Sequence, residues 1–140
     1  MELIFFGTTG AVQTANNTNV SIAVIHENKA VLVDVSGSPF QSLLRAGIGA
    51  SDLGALVLTH AHPDHLYALP YLIQALSLVK RKNSLKIICN RHTEKKAKQL
   101  LDIFDLSSKS VVFPIEWLSA ETAALECIPG VRINTFPVNH

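Results

Sequence analysis

Four side chains that could bind metal ions lie within six consecutive positions of this 140-residue sequence. They are His60, His62, Asp64 and His65, and they follow the short apolar run of residues 55–58, which is typical of a buried strand. Imidazole and carboxylate groups are the ligand types that suit zinc, and also manganese and iron. An ordinary surface loop does not require four such residues in this order, so the pattern favours a metal site over a set of solvated polar residues.

The spacing divides the four residues into two pairs. Alternate side chains of an extended backbone point the same way, so His60 and His62 can bind one ion. The chain then turns toward a helix, and the adjacent Asp64 and His65 can reach a second ion nearby. Pro63 stiffens the turn between the two pairs.

The elements that must position these residues alternate between strands and helices after a leading hairpin, which predicts an α/β fold. We expect strands over residues 3–6, 20–25, 30–35, 55–58, 85–89, 111–113 and 131–136. The first strand is an unbroken apolar run and is expected to be buried. We expect helices over residues 40–46 and 70–79, and a third helix capped by Thr93. The apolar positions expected to face the core are Leu43 and Leu44, then Leu72, Ile73, Leu76 and Val79, then Ala97, Leu100, Leu101 and Phe104.

Composition indicates a single globular domain, residues 1–140. Apolar residues make up 48% of the chain and charged residues 16%, which suits a packed core and excludes disorder. The sequence lacks a signal peptide and any run long enough to span a membrane, so we expect a cytoplasmic protein that binds no membrane. The two cysteines, Cys89 and Cys127, are far apart, and Cys89 is expected to be a buried free thiol rather than a ligand or half of a disulfide.

The run from His60 to His65 resembles the metal-binding signature of the metallo-β-lactamase superfamily. Further segments are similar to one branch, ribonuclease Z, the transfer-RNA 3′-processing endonuclease. They are residues 2–11, 16–19 and 32–34, and the Leu-Pro of residues 69–70. The sequence departs from that branch at residues 35–37, where Val-Ser-Gly replaces the usual Cys-Gly-Glu, and Pro63 and Ala68 stand where glycine is common.

The resemblance implies a fold, a cofactor and roles for particular residues. The fold would be the N-terminal half of an αβ/βα sandwich, with one sheet face uncovered, and the chain would be the first part of a longer enzyme. Two zinc ions, with manganese or iron as alternatives, would occupy the intact site, and His140 would join His60 and His62 on one of them. Asp64 would also orient or deprotonate the attacking water, and Asp34 would hold a metal-bound histidine in the right tautomer. The loop of residues 7–19 would lie beside the site.

The predicted function is that of a zinc-dependent phosphodiesterase that cleaves transfer-RNA precursors at their 3′ ends. An alternative is hydrolysis of a small ester, lactone, thioester or cyclic nucleotide, and another is a non-catalytic chain that binds a partner, such as a second copy in a homodimer. Eight of the chain's twelve basic residues lie between positions 80 and 98 against a single acidic residue, so this segment carries a charge of +7. Lys95, Lys96 and Lys98 are candidate RNA-binding residues there, and the alternative is a solvated helix face.

Overall fold

The computed structural model describes residues 1–106, 110–121 and 124–138. A six-stranded sheet forms its centre, and its strands lie side by side in the order in which they occur in the chain. The strands are β1 (Glu2–Gly7), β2 (Ser21–His26), β3 (Lys29–Val33), β4 (Leu53–Val57), β5 (Leu85–Cys89) and β6 (Ile115–Ser119). The first three strands pair antiparallel, and β3 to β6 pair parallel.

Helices connect the parallel strands. They are α1 (Pro39–Arg45), the single turn α2 (Pro63–Leu66), α3 (Leu69–Leu78) and α4 (Arg91–Ile103). Crossovers between parallel strands are right-handed, and each strand here is added on the same side of the previous one. All three crossovers therefore place their helices on the same face of the sheet. Leu43 of α1, Leu72 of α3 and Leu101 of α4 accordingly belong to one apolar cluster.

The opposite face carries a small hairpin made of β7 (Leu125–Ile128) and β8 (Val131–Ile133). Side chains alternate between the two faces of a strand. Leu56 therefore packs under the helices, whereas its neighbour Ala55 packs under the hairpin with Cys127 and Ile128. The expected α/β class is confirmed, and the face expected to be uncovered is covered in part, where the hairpin packs on β3 and β4.

That second face stays open at β1, where Leu3 and Phe5 are 57% and 58% exposed. The expectation of a buried first strand is therefore wrong. β1 lies at the edge of the sheet, so only Ile4 and Phe6 pack against the helix side. An unbroken apolar run does not reveal whether both faces of a strand are covered.

Several other expectations differ from the structure at the ends of elements. Thr93 does not cap α4, because Asn90 is the N-cap and its side chain accepts a hydrogen bond from the backbone N–H of Thr93. Residues 111–113 form no strand, and the strand expected over residues 131–136 ends at Ile133. Three residues expected in the core are exposed instead, and each lies at or near the end of its helix: Leu44, Val79 and Phe104.

Arg81 is buried in the connection between α3 and β5 and holds it in place. Its guanidinium donates hydrogen bonds to the carbonyl oxygens of Ala50, Asn83 and Ser84, and it lies over the ring of Phe113. Burial lowers the pKa of the Arg81 guanidinium, and the charge of Asp52 opposes that shift. Arg81 is therefore structural and does not contribute to the basic surface that the sequence suggested.

Every helix in the described ranges is too short or too polar to span a membrane.

Candidate metal centre

Five of the six strands end along the same border of the sheet, which is its carboxyl edge: β1, β3, β4, β5 and β6. They do so because β1 and β3 both run antiparallel to β2, and β3 to β6 run parallel. Asp34 follows β3 at this edge, and the histidine-rich segment follows β4. The loop of residues 8–19 follows β1 at the same edge, so the expectation that it lies beside the candidate site agrees with the fold. Loops at the carboxyl ends of parallel strands are where open α/β sheets bind ligands.

His60 and His62 form the first donor pair. Nε2 of His60 lies 3.1 Å from Nδ1 of His62. Two nitrogen ligands of a tetrahedral zinc, each at about 2.0–2.1 Å from the metal, are separated by roughly 3.3 Å. The two imidazoles therefore already stand at the separation that a shared ion requires.

Asp64 and His65 form the second pair at the start of α2. Oδ2 of Asp64 lies 3.3 Å from Nε2 of His65, which again matches the separation of two ligands on one ion. The rings of His60 and His65 have centroids only 4.0 Å apart, so the two pairs are immediate neighbours. The structure therefore brings together the four side chains expected to bind metal, and their division between two ions stays a prediction.

Asp34 holds the second pair in place through a hydrogen bond with His65. Its side chain is only 4% exposed, and its Oδ2 accepts a hydrogen bond from Nδ1 of His65 at 2.7 Å. The backbone of Asp34 has a φ of 57°, a left-handed conformation that aspartate tolerates better than most residues. Because a carboxylate can only accept, Nδ1 of His65 carries a proton in this contact, which leaves Nε2, the nitrogen that faces Asp64, as the atom that could bind a metal.

Thr59 extends the effect of Asp34 to His60. The hydroxyl of Thr59 lies 2.8 Å from Oδ2 of Asp34 and must donate to it. With its single proton used, Oγ1 of Thr59 can only accept from Nδ1 of His60, at 3.0 Å. His60 is thereby held in the same tautomer as His65, with Nε2 left as a metal ligand. Thr59 was not among the residues predicted from the sequence, although a hydroxyl residue directly before the signature was a visible signal.

The described residues fit divalent cations by their chemistry. Asp34 and Asp64 bring two carboxylates close to a group of imidazoles, and these donor types together suit a divalent cation. Within the described ranges, no three histidine, cysteine, aspartate or glutamate residues converge on a single point. Each pair would thus need further ligands. His140, expected to join the first pair, lies outside the described residues, and its role stays a prediction.

The candidate RNA-binding lysines lie on α4, which starts at the same edge of the sheet as the donor pairs. Lys95 and Lys98 share a helix face with Arg91, together with acidic Glu94 and Asp102. Lys98 is engaged within the chain, since its Nζ lies 2.5 Å from Glu94 and 5.1 Å from the ring of Trp117. Lys96 is exposed but is not part of this face. An RNA-binding role for the three lysines stays a prediction.

The sequence model of the metallo-beta-lactamase superfamily matches residues 14–100, which include both donor pairs and Asp34. The chain belongs to the metallo-beta-lactamase superfamily.

Within that superfamily the chain is similar to proteins named ribonuclease Z. The ribonuclease Z of Pyrococcus abyssi is 34% identical over 102 residues, which cover 73% of this chain and 33% of that protein. The one from Bradyrhizobium diazoefficiens is 28% identical over 138 residues, which cover 99% of this chain and 46% of that protein. The chain thus spans less than half the length of these relatives.

The solved structure of the short form of human tRNase Z has the same fold. It superposes with a TM-score of 0.69 at 20% identity, covering 85% of this chain and 46% of that one. The similarity confirms the predicted fold, that of part of a metallo-beta-lactamase sandwich.

Proposed function

We propose that this protein is a metal-dependent hydrolase of the ribonuclease Z type, which cleaves transfer-RNA precursors at their 3′ ends. The observation that carries the proposal is the presence of two adjacent donor pairs at ligand separation, one linking His60 to His62 and the other Asp64 to His65. The similarity to two proteins named ribonuclease Z supports the choice of substrate.

The proposed cofactor is a pair of zinc ions, with manganese or iron as alternatives. His60 and His62 would bind one ion together with His140, and Asp64 and His65 would bind the other. Two such cations activate water near neutral pH and neutralise the charge that develops on the leaving oxygen of a phosphodiester.

The chain's own residues would supply orientation and proton handling. Asp34 fixes the ring of His65 directly and that of His60 through Thr59, so the ligand nitrogens are set before any ion arrives. The carboxylate of Asp64, 15% exposed at the surface edge, would orient the attacking water or accept its proton. Arg91 and Lys95 at the start of α4 would attract the RNA backbone toward this edge.

A second candidate function is hydrolysis of a small ester, lactone, thioester or cyclic nucleotide. The observation that favours it is the turn after Asp34, where Gly37 occupies the position of the glutamate usual in ribonuclease Z. Gly37 has a φ of 64°, and a side chain there would meet Thr18 at 3.0 Å. A side chain at this position would therefore need a strained backbone and a small shift of Thr18, which disfavours the usual acidic residue. A non-catalytic, partner-binding chain is the third possibility and predicts no bound metal.

The deciding experiment combines elemental analysis of the purified full-length protein with two hydrolysis assays. One assay uses a bis-phosphodiester dye, and the other uses a transfer-RNA precursor with a 3′ trailer. We expect bound metal and cleavage of both substrates. Cleavage of the dye but not of the precursor would refute the transfer-RNA substrate and favour the second candidate, and a metal-free protein inactive on both substrates would refute both hydrolase candidates.

Substitutions test which residues carry the activity. His60→Ala, His62→Ala and Asp64→Ala should each reduce hydrolysis by at least about a hundredfold without unfolding the protein, because they lie on a surface edge rather than in the core. His26→Ala and His92→Ala are the matched controls and should retain activity and metal. Full activity in Asp64→Ala would refute its catalytic assignment, and metal loss in either control would show that other histidines bind the ions.

A further inference from the structure

The turn of residues 34–37 carries the carboxylate that contacts both donor pairs, and its backbone is held in an uncommon conformation. Asp34 has a φ of 57°, and Gly37 at the end of the turn has a φ of 64°. A left-handed backbone at a residue other than glycine persists only where the surrounding contacts enforce it. The groups that hold Asp34 in this conformation therefore belong to the machinery of the site.

Ser21, at the start of β2, holds the backbone of Asp34 from the neighbouring strand. Ile22 pairs with Val33 in the ladder between β2 and β3, so Ser21 and Asp34 would form the next pair if the ladder continued. The ladder ends there, and the hydroxyl of Ser21 donates to the carbonyl oxygen of Asp34 at 2.9 Å. Because Ser21 is fully buried, water does not readily replace this donor.

Ser36 holds the same turn in the opposite direction. Its Oγ lies 2.7 Å from the carbonyl oxygen of Asn19 and 2.9 Å from that of Val20, so its proton is directed at the segment just before β2. Ser36 is also buried. The sequence has serine here where glycine is usual in ribonuclease Z, and glycine has no hydroxyl. Two buried hydroxyls thus join β2 and the turn, one donating in each direction.

The turn is also bound to the segment that carries the metal-binding residues. The backbone N–H of Val35 donates to the carbonyl oxygen of His65 at 2.9 Å. The carboxylate of Asp34 lies 2.7 Å from Nδ1 of His65 and 2.8 Å from the hydroxyl of Thr59. Because the Cα–Cβ bond turns with the backbone, a change in the φ of Asp34 would carry its carboxylate away from both partners. The two serines therefore act on the imidazoles through Asp34.

We propose that Ser21 and Ser36 are positioning residues of the metal centre. Their hydroxyls hold the turn so that the carboxylate of Asp34 meets His65 and Thr59 before any ion binds. The statement rests on the metal centre of the proposed function and not on its substrate. Without either hydroxyl, Asp34 relaxes toward the commoner backbone conformations, and the ring of His65 loses its fixed hydrogen bond.

The direct readout is the Nδ1 proton of His65 in the metal-free, full-length protein. Bonded to a buried carboxylate, this proton should exchange slowly and give a low-field NMR resonance. Ser21→Ala and Ser36→Ala should each make its exchange about tenfold faster, and Ser36→Ala carries the test if Ser21→Ala fails to fold. Ile87→Val is the control, because it removes one buried methyl group from β5, two strands away from the turn.

The control separates positioning from a general loss of stability. Ile87→Val should lower stability about as much as the loss of one hydrogen bond, yet leave the exchange of the His65 proton unchanged. Unchanged exchange in both serine variants would overturn the proposal. Equal acceleration in Ile87→Val would do so as well.

Zinc affinity, measured by competition with a chelator, tests whether the serines act through Asp34. Each serine-to-alanine variant should bind zinc about tenfold more weakly, and Ser21→Thr, which keeps the hydroxyl, should stay within about twofold of the wild type. In an Asp34→Asn background, Ser21→Ala should cause little further loss, because both act through one carboxylate. Additive losses, or a Ser21→Thr variant as weak as Ser21→Ala, would contradict the proposal. A wild-type protein that binds no zinc would refute the proposed function, whereas the exchange of the His65 proton would still decide the role of the serines.

Discussion

Asp34 is the residue on which both donor pairs depend. Its carboxylate is buried, and it accepts hydrogen bonds from Nδ1 of His65 and from both the backbone N–H and the hydroxyl of Thr59. Two imidazoles from different pairs are thus oriented by one charge, directly in one case and through a hydroxyl in the other. Mutation of a partner of this kind typically reduces metal affinity by about 10- to 100-fold.

The dependence on Asp34 leads to a prediction about metal affinity. Asn tolerates the left-handed backbone at this position, so Asp34→Asn keeps the fold while replacing an acceptor oxygen by an amide that can donate. An amide N–H facing Nδ1 of His65 would favour the tautomer that carries its proton on Nε2. In that tautomer, Nε2 has no lone pair with which to bind a metal. We expect zinc affinity, measured by competition with a chromophoric chelator, to fall by about 10- to 100-fold.

Asp52→Asn is the matched control, because it removes the same charge from a carboxylate that pairs with Lys29 away from the site. Thr59→Val should weaken zinc binding less than Asp34→Asn, since it interrupts only the connection to His60, and Thr59→Ser should restore it. Wild-type zinc affinity in Asp34→Asn would show that the carboxylate does not set the tautomer.

The two donor pairs could be proposed from the sequence because their chemistry is local. Their spacing within six positions is enough to define two pairs. The role of Thr59 could not be predicted in this way, because it depends on a contact with Asp34, 25 residues earlier in the chain, whose position is set by the sheet.

The order of the strands in the sheet explains where the candidate site lies. The bounds of β5 and the apolar spacing of α3 depend on local sequence, and both were predicted closely. Burial depends on what lies on the other side of an element. The exposure of Leu3, Leu44 and Phe104 therefore could not be read from apolar spacing, nor could the hairpin of β7 and β8 over the parallel strands.

Gly54 determines how closely that hairpin packs on the sheet. A methyl group at Gly54 would lie 2.3 Å from Cγ2 of Ile128, so the hairpin has no room for even one added carbon. Gly54→Ala should therefore push the hairpin outward. Overpacking of this kind typically costs about 1–3 kcal/mol.

The two buried thiols allow this displacement to be measured. Burial raises the pKa of the Cys89 thiol to about 12 and also raises that of Cys127, so neither forms much reactive thiolate in the folded protein at neutral pH. In Gly54→Ala, alkylation of Cys127 on the hairpin should become at least about tenfold faster, whereas Cys89, which packs on the helix side, should stay protected. Mass spectrometry of the two labelled sites distinguishes these outcomes.

Gly10→Ala is the control for this experiment, since a methyl group there meets no atom within 4 Å. It should leave both cysteines protected. Equal acceleration at Cys89 and Cys127 in Gly54→Ala would indicate global destabilisation and would contradict a local displacement of the hairpin.

For the whole molecule, the distribution of charge matters more than its total. The net charge is only +1, yet the segment from Lys80 to Lys98 is strongly basic. The fold divides this segment, because β5 runs between its two ends. Lys80 and Lys82 precede β5 at the edge remote from the donor pairs, and Arg91 and Lys95 follow it at the same edge as those pairs. Part of the basic cluster seen in the sequence therefore cannot contact a substrate at the site.

This division predicts different salt dependences for two substitutions that change the net charge equally. Lys95→Glu should weaken binding of a transfer-RNA precursor and lower the slope of log affinity against log salt concentration by about 0.7–0.9, the loss expected for one phosphate contact. Lys82→Glu, at the far edge, should leave the slope nearly unchanged. The measurement is a salt titration of RNA binding by the full-length protein. Equal changes in both variants would mean that RNA responds to the overall charge of the molecule, and would rule out a specific path along α4 to the metal-ligand edge.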